Sequence, residues 1–158
     1  FQAEDGIRDC LLSRGLGDVY KRQLRLMGAK HVDFLVPNRF KHGYGLSPEI
    51  VKEAQRDKEP DLIITVDNGI SSNEGAALAR SLDIDVIITD HHLPPNELPN
   101  ANAIINPNLR GCNFPSKNLA GVGVCFYLFS SLKTYCIYSF KAYWLFPRFT
   151  KWRYIFSN

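Results

Sequence analysis

A parallel α/β sheet with flanking helices is the fold this sequence predicts, on three observations. Apolar runs of strand length alternate with helical segments over short connections, the signature of crossover units. The runs Leu62-Ile63-Ile64-Thr65-Val66 and Val86-Ile87-Ile88-Thr89 are almost wholly apolar, as strands covered on both faces are. Each run ends on a polar cluster: Asp67-Asn68-Gly69 after the first, Asp90-His91-His92 after the second.

Taken in order, Leu24-Arg25-Leu26-Met27-Gly28 reads as the last turn of a helix stopped by glycine. Val32 to Val36 is a strand that Pro37 ends. Ser47-Pro48-Glu49 opens a helix, with a serine N-cap, proline at the first helical position and an acid in the first turn. That helix runs to about Asp57 and turns Ile50, Val51 and Ala54 inward. After the strand at 62–66, Ser71 and Glu74 have capping-box spacing, and the alanine-rich stretch Glu74 to Leu82 reads as helix. The strand at 86–89 leads through a proline-rich loop to a short strand, Ala103-Ile104-Ile105, closed by Asn106-Pro107. A helix opens near the glycine pair Gly121 and Gly123.

A chain of 158 residues, 45% hydrophobic and 22% charged, can bury one core. No apolar run of about 18 residues predicts a membrane span, and the N-terminal residues have no secretory pattern. Cys10, Cys112, Cys125 and Cys136 show no Cys-x-x-Cys or framework spacing, which points to a reducing cytoplasm. The net charge of +3 is unevenly placed: residues 129–158 hold five bases and no acid, while 24–128 carry an acidic excess. The pI of 8.7 therefore comes from the tail and is no sign of a nucleic-acid surface.

Both ends differ from the middle. Residues 1–23 lack usable periodicity and resemble translated sequencing-adapter read-through, so they are expected to be non-native; a flexible extension is the other reading. Residues 129–158 hold eleven aromatics without a helical stripe or clean alternation. A reading frame slipped near Leu128 is expected there, with a membrane-surface or nucleic-acid arm as the alternative.

Parallel strands joined by right-handed crossovers place their carboxyl ends on one edge, where open α/β sheets bind ligands. If the strands at 62–66 and 86–89 are neighbours, Asp67 and Asp90-His91-His92 meet at that edge. Carboxylates with imidazoles suit Mn²⁺, with Mg²⁺ possible, and a pair of ions would clamp both oxygens of a phosphoryl transfer. The blander reading makes Asp67 a turn residue and the histidines a polar strand end. In the first loop, Arg39, Lys41 and His42 lead into Gly43, Tyr44 and Gly45, a composition suited to phosphate contacts or simply to a solvated loop. Gly121 and Gly123 can present N–H groups to a phosphate or allow close helix packing.

Six blocks then carry a resemblance: Val36-Pro37-Asn38-Arg39-Phe40, Gly43-Tyr44-Gly45-Leu46-Ser47, Ile64 to Ser72, Thr89-Asp90-His91-His92, Ile104 to Asn108, and Asn118 to Gly123. In this order, over roughly residues 24–128, they resemble the RecJ family of bacterial single-stranded-DNA-specific exonucleases, within the DHH phosphoesterase superfamily. The resemblance implies an incomplete DHH phosphoesterase domain at 24–128. It also implies a metal-dependent 5′-to-3′ exonuclease of single-stranded DNA, acting in DNA recombination and repair with Mn²⁺ or Mg²⁺ in a two-metal site. Other repair and recombination proteins would be possible partners, and no membrane is implied. Asp67 would bridge the metals and His91 would be a ligand. Asp90 would join the metal site directly or by orienting a ligand, and His92 would face the scissile phosphate. Arg39, His42, Gly43, Tyr44 and Gly45, with Gly121 and Gly123, would bind substrate.

The family's Asp-x-Asp-Ala-Asp-Gly strand has no counterpart before Leu24, and its later Ala-Asp motif has none after Leu128. The chain is therefore expected to be a fragment that is inactive alone. Other DHH-type phosphoesterases, acting on oligonucleotides, cyclic dinucleotides or pyrophosphate, remain an alternative, as does a non-catalytic Rossmann-like binding module. The latter lacks a Gly-x-Gly-x-x-Gly turn after its first strand.

Overall fold

The computed structural model describes residues 20–37, 44–138 and 153–157. The elements are α1 (20–26), β1 (His31–Leu35), α2 (Pro48–Lys58), β2 (Leu62–Val66), α3 (Asn73–Ser81), β3 (Asp85–Thr89), β4 (Ala103–Ile105), α4 (Gly121–Tyr138) and β5 (Arg153–Ser157). The five strands form one sheet in the order β1-β5-β2-β3-β4, every pair parallel. The predicted parallel α/β class is the one found.

Each face of the sheet has its own core, which explains the unbroken apolar runs. On one face, Leu62, Ile64 and Val66 pack with Tyr20 and Leu24 of α1 and with Cys125 and Phe129 of α4. On the other, Ile63, Val86 and Ile88 meet Ile50, Val51 and Ala54 of α2 and Ala79 of α3. Alternate residues of β2 thus face opposite helical layers, and none can be polar without a partner. Its one polar residue, Thr65, is fully buried and donates its hydroxyl to the Asn68 carbonyl at 2.7 Å.

Most local expectations hold. Gly28 has φ +98 and ends α1, with the Ala29 N–H returning to the Leu24 carbonyl. Ser47 caps α2, accepting from the Ile50 N–H, with Pro48 following it. The capping box at Ser71 does not form: α3 begins at Asn73, Ser72 holds the N-cap position, and no side chain caps it. The Ser72 hydroxyl instead accepts the Leu46 N–H at 2.9 Å, so it ties the loop after β1 to the start of α3.

The expected boundaries at 23 and 128 both fall inside helices, α1 and α4. Tyr20 is buried and stacks on Phe129 with ring centroids 5.1 Å apart, joining α1 to α4. Strands β1 and β2, consecutive in the core of the chain, are not neighbours, because β5 pairs with both. Asp33 of β1 ties the edge together, with Lys58 Nζ at 2.6 Å and Lys21 Nζ at 3.2 Å.

Candidate metal centre

The strands β2 and β3 are neighbours in a register that pairs Val66 with Thr89. Asp67 and Asp90, each one residue further, therefore arrive together at the carboxyl edge, as the spacing predicts. The two then diverge. Asp67 turns left-handed, with φ +64, and its N–H donates to the Thr89 carbonyl at 2.9 Å. Non-glycine residues enter this region at a cost of roughly 1–2 kcal/mol, so the turn is held by its surroundings. Its carboxylate projects into the open, with Oδ1 2.9 Å from His91 Nε2.

Asp90 points inward and is 1% exposed. Oδ1 accepts the N–H groups of His91 at 2.7 Å and His92 at 3.2 Å, and lies 2.6 Å from His92 Nδ1. Oδ2 accepts the Ile70 N–H at 2.9 Å. One buried carboxylate thus braces the histidine turn against the Asn68-Gly69-Ile70 turn after β2. With Nδ1 engaged, Nε2 is the nitrogen that His92 has left for a ligand.

Two further residues, to which the sequence assigns no part in the site, hold this turn. Asn106 donates to the His92 carbonyl at 2.9 Å and Asn108 to the His91 carbonyl at 2.6 Å. An asparagine on either side of a proline after β4 is the signal, because a rigid turn carrying two amide donors suits clamping a neighbouring loop.

Asp67, His91 and His92 each offer a ligand atom, and these atoms lie within 4.8 Å of one another. The separation of Asp67 Oδ1 and His91 Nε2 suits one ion, since cis donors on a six-coordinate ion with bonds of about 2.1 Å stand roughly 3 Å apart. A carboxylate with imidazoles and no thiolate fits Mn²⁺ or Mg²⁺ better than a structural zinc. Three donors fall short of what two ions need.

A cleft of about 500 Å³ opens beside the cluster, lined by Pro37, Tyr44, Gly45, Asp67, the 68–72 turn, Asp90 and His92. Tyr44 is 84% exposed at its rim. Gly45, with φ +80, packs against the Ser72 hydroxyl. Arg39, His42 and Gly43 lie outside the described residues. Gly121 and Gly123 have protein rather than open space where a Cβ would stand: the Asp67 side chain for Gly121, Leu119 for Gly123.

Fold and edge together define a class. The chain belongs to the DHH family, whose N-terminal domain matches residues 5–144. Among its relatives, the single-stranded-DNA-specific exonuclease RecJ of Escherichia coli is 62% identical over 112 residues, covering 71% of this chain and 19% of that protein. The RecJ of Bacillus subtilis is 48% identical over 101 residues, covering 64% of this chain and 13% of that protein. A crystal structure of exonuclease RecJ bound to manganese superposes with a TM-score of 0.63 at 33% identity, covering 75% of this chain and 29% of that chain. The chain thus spans about a fifth of the length of the E. coli relative.

Proposed function

We propose that this chain is part of a metal-dependent exonuclease that hydrolyses single-stranded DNA from its 5′ end with Mn²⁺ or Mg²⁺. The observation that carries the reading is the convergence of Asp67, His91 and His92 at the carboxyl edge of a DHH-family sheet. The manganese in the related exonuclease structure and the identity to single-stranded-DNA-specific exonucleases support it. Residues 24–128 contain every residue the reading uses. Single-stranded DNA is its expected partner, with other repair and recombination proteins possible, and the cytoplasm is its expected compartment. Among the described residues no helix is long and apolar enough to cross a membrane.

In this reading Asp67 and His91 hold the ion, and Asp90 keeps the histidine turn in place from beneath. A bound divalent ion supplies Lewis-acid stabilisation of the phosphate oxygens and lowers the pKa of a water. His92, braced at Nδ1 by Asp90, presents its other nitrogen to the ion or to a phosphate oxygen. The open cleft beside it is rimmed by Tyr44, and an exposed aromatic ring there can stack a base of a single strand. With these three donors among the described residues, the chain alone is expected not to hydrolyse DNA.

A chimera tests the proposal. The matched 112-residue segment of the E. coli exonuclease is replaced by the corresponding segment of this chain. The chimera should shorten 5′-labelled single-stranded DNA in Mn²⁺ and lose that activity with Asp67→Ala. A folded chimera without activity, or metal-dependent cleavage by the present chain alone, contradicts the reading.

A further inference from the structure

The first residue of α4 sits directly on the Asp67 side chain, an approach open only to glycine. A Cβ at Gly121 would stand 2.1 Å from Asp67 Oδ1, 2.5 Å from Cγ and 2.6 Å from Cβ. Carbon atoms in contact stand about 3.5–4.0 Å apart, so the two elements would have to separate by roughly 1 Å. Turning the carboxylate to another rotamer does not relieve this, because the Asp67 Cβ is itself in the way.

Neither side is free to withdraw. The Asp67 turn is pinned by its N–H to the Thr89 carbonyl and by the Thr65 hydroxyl to the Asn68 carbonyl. The start of α4 is drawn onto the same strands by Cys125, whose Sγ lies 2.9 Å from Thr89 Oγ1. It is also held by the Tyr20 hydroxyl, which donates to the Val122 carbonyl at 3.5 Å. Helix, strand end and carboxylate thus form one wedge, with the Asp67 carboxylate between the α4 backbone and His91.

We infer that Gly121 is a positioning residue: by lacking a side chain it seats α4 against Asp67 and confines the carboxylate to the position where it meets His91. The consequence for metal rests on the functional reading above, whereas the steric coupling does not. The glycine therefore acts through protein contact, where the sequence alone also allowed approach to a phosphate.

The test is a double-mutant cycle with a manganese titration. Asp67→Gly removes the obstructing side chain, and its φ of +64 is one that glycine accepts without strain. Gly121→Ala should lower the urea midpoint in the wild-type background and leave it unchanged in the Asp67→Gly background. Mn²⁺ affinity, measured by calorimetry, should fall at least tenfold in Gly121→Ala and stay unchanged in Val122→Ala, whose side chain is half exposed. If Gly121→Ala fails to fold, recovery of folding in the double variant supports the wedge, and failure of both overturns it. Equal losses of stability in both backgrounds overturn the inference, as does undiminished Mn²⁺ affinity in Gly121→Ala. If the wild-type chain takes up no Mn²⁺, the metal reading fails, and the stability cycle alone decides the contact.

Discussion

At the scale of single residues, two aspartates that follow neighbouring strands at equivalent positions have opposite fates. Asp67 is open to solvent and meets an imidazole, whereas Asp90 is buried under four donors. Asp90→Ala strands the N–H groups of Ile70, His91 and His92 in a partly closed site. It should cost about 2–4 kcal/mol, read from urea denaturation. A loss below about 1 kcal/mol would mean that the turns hold each other without the carboxylate. The shared edge was legible because strand ends and crossover handedness place it. The divergence was not, because it depends on the left-handed turn at Asp67 and on donors 20 residues distant in sequence. The asparagine clamps and the contact of Gly121 with Asp67 escape notice for the same reason.

At the scale of elements, local chemistry set most boundaries, while competition between elements decided the exceptions. Ser47 uses its hydroxyl to cap α2, but Ser72 leaves α3 uncapped to hold Leu46. The same approach of the loop to α3 demands a second glycine, since a Cβ at Gly75 would fall 1.8 Å from the Leu46 carbonyl oxygen. Gly75→Ala should therefore destabilise the chain by about 1–3 kcal/mol, despite alanine's better helix propensity. An increase in the thermal midpoint of that variant would contradict the packing. A helix crossing residue 128 was not legible, because α4 has apolar residues around its circumference and so offers no stripe.

At the scale of the whole molecule, strand β5 joins β1 to the rest of the sheet and is the one partner of β1 among the described residues. Deleting residues 151–158 should leave β1 amides exchanging with solvent at least tenfold faster, measured by hydrogen exchange, while the β2–β3 pair stays protected. Equal protection in both chains would show that β1 does not need β5. The aromatic tail disguised this strand, since its five residues give no alternation to set them apart from their surroundings.

The charge tie across Asp33 acts at this scale too, because Lys21 and Lys58 reach it from α1 and α2. Burial alone would raise the Asp33 pKa, but hydrogen bonds from Lys58 and Lys21 outweigh it and hold the carboxyl below its ordinary value. A carboxyl whose folded pKa is depressed contributes stability above its unfolded value, and that contribution disappears as pH falls through the folded one. The Lys58 pKa is raised, chiefly by the Asp33 hydrogen bond, so its contribution is lost only as pH rises through that raised value. Asp33→Asn should therefore lose less stability than wild type as pH falls from the ordinary carboxyl range through the depressed folded value. Parallel acid titrations of urea midpoints check this, and identical slopes would mean that Asp33 adds nothing to acid stability.

The proposal that the carboxyl edge of this sheet holds a divalent ion through Asp67 and His91, with His92 beside it, is tested most directly by a manganese titration followed by nuclear magnetic resonance. Paramagnetic broadening should reach the His91 and His92 rings first, at concentrations that leave exposed acids such as Asp57 and Asp83 sharp, and Asp67→Ala should abolish that preference. Broadening spread evenly over the exposed carboxylates, or a preference that survives Asp67→Ala, would contradict it.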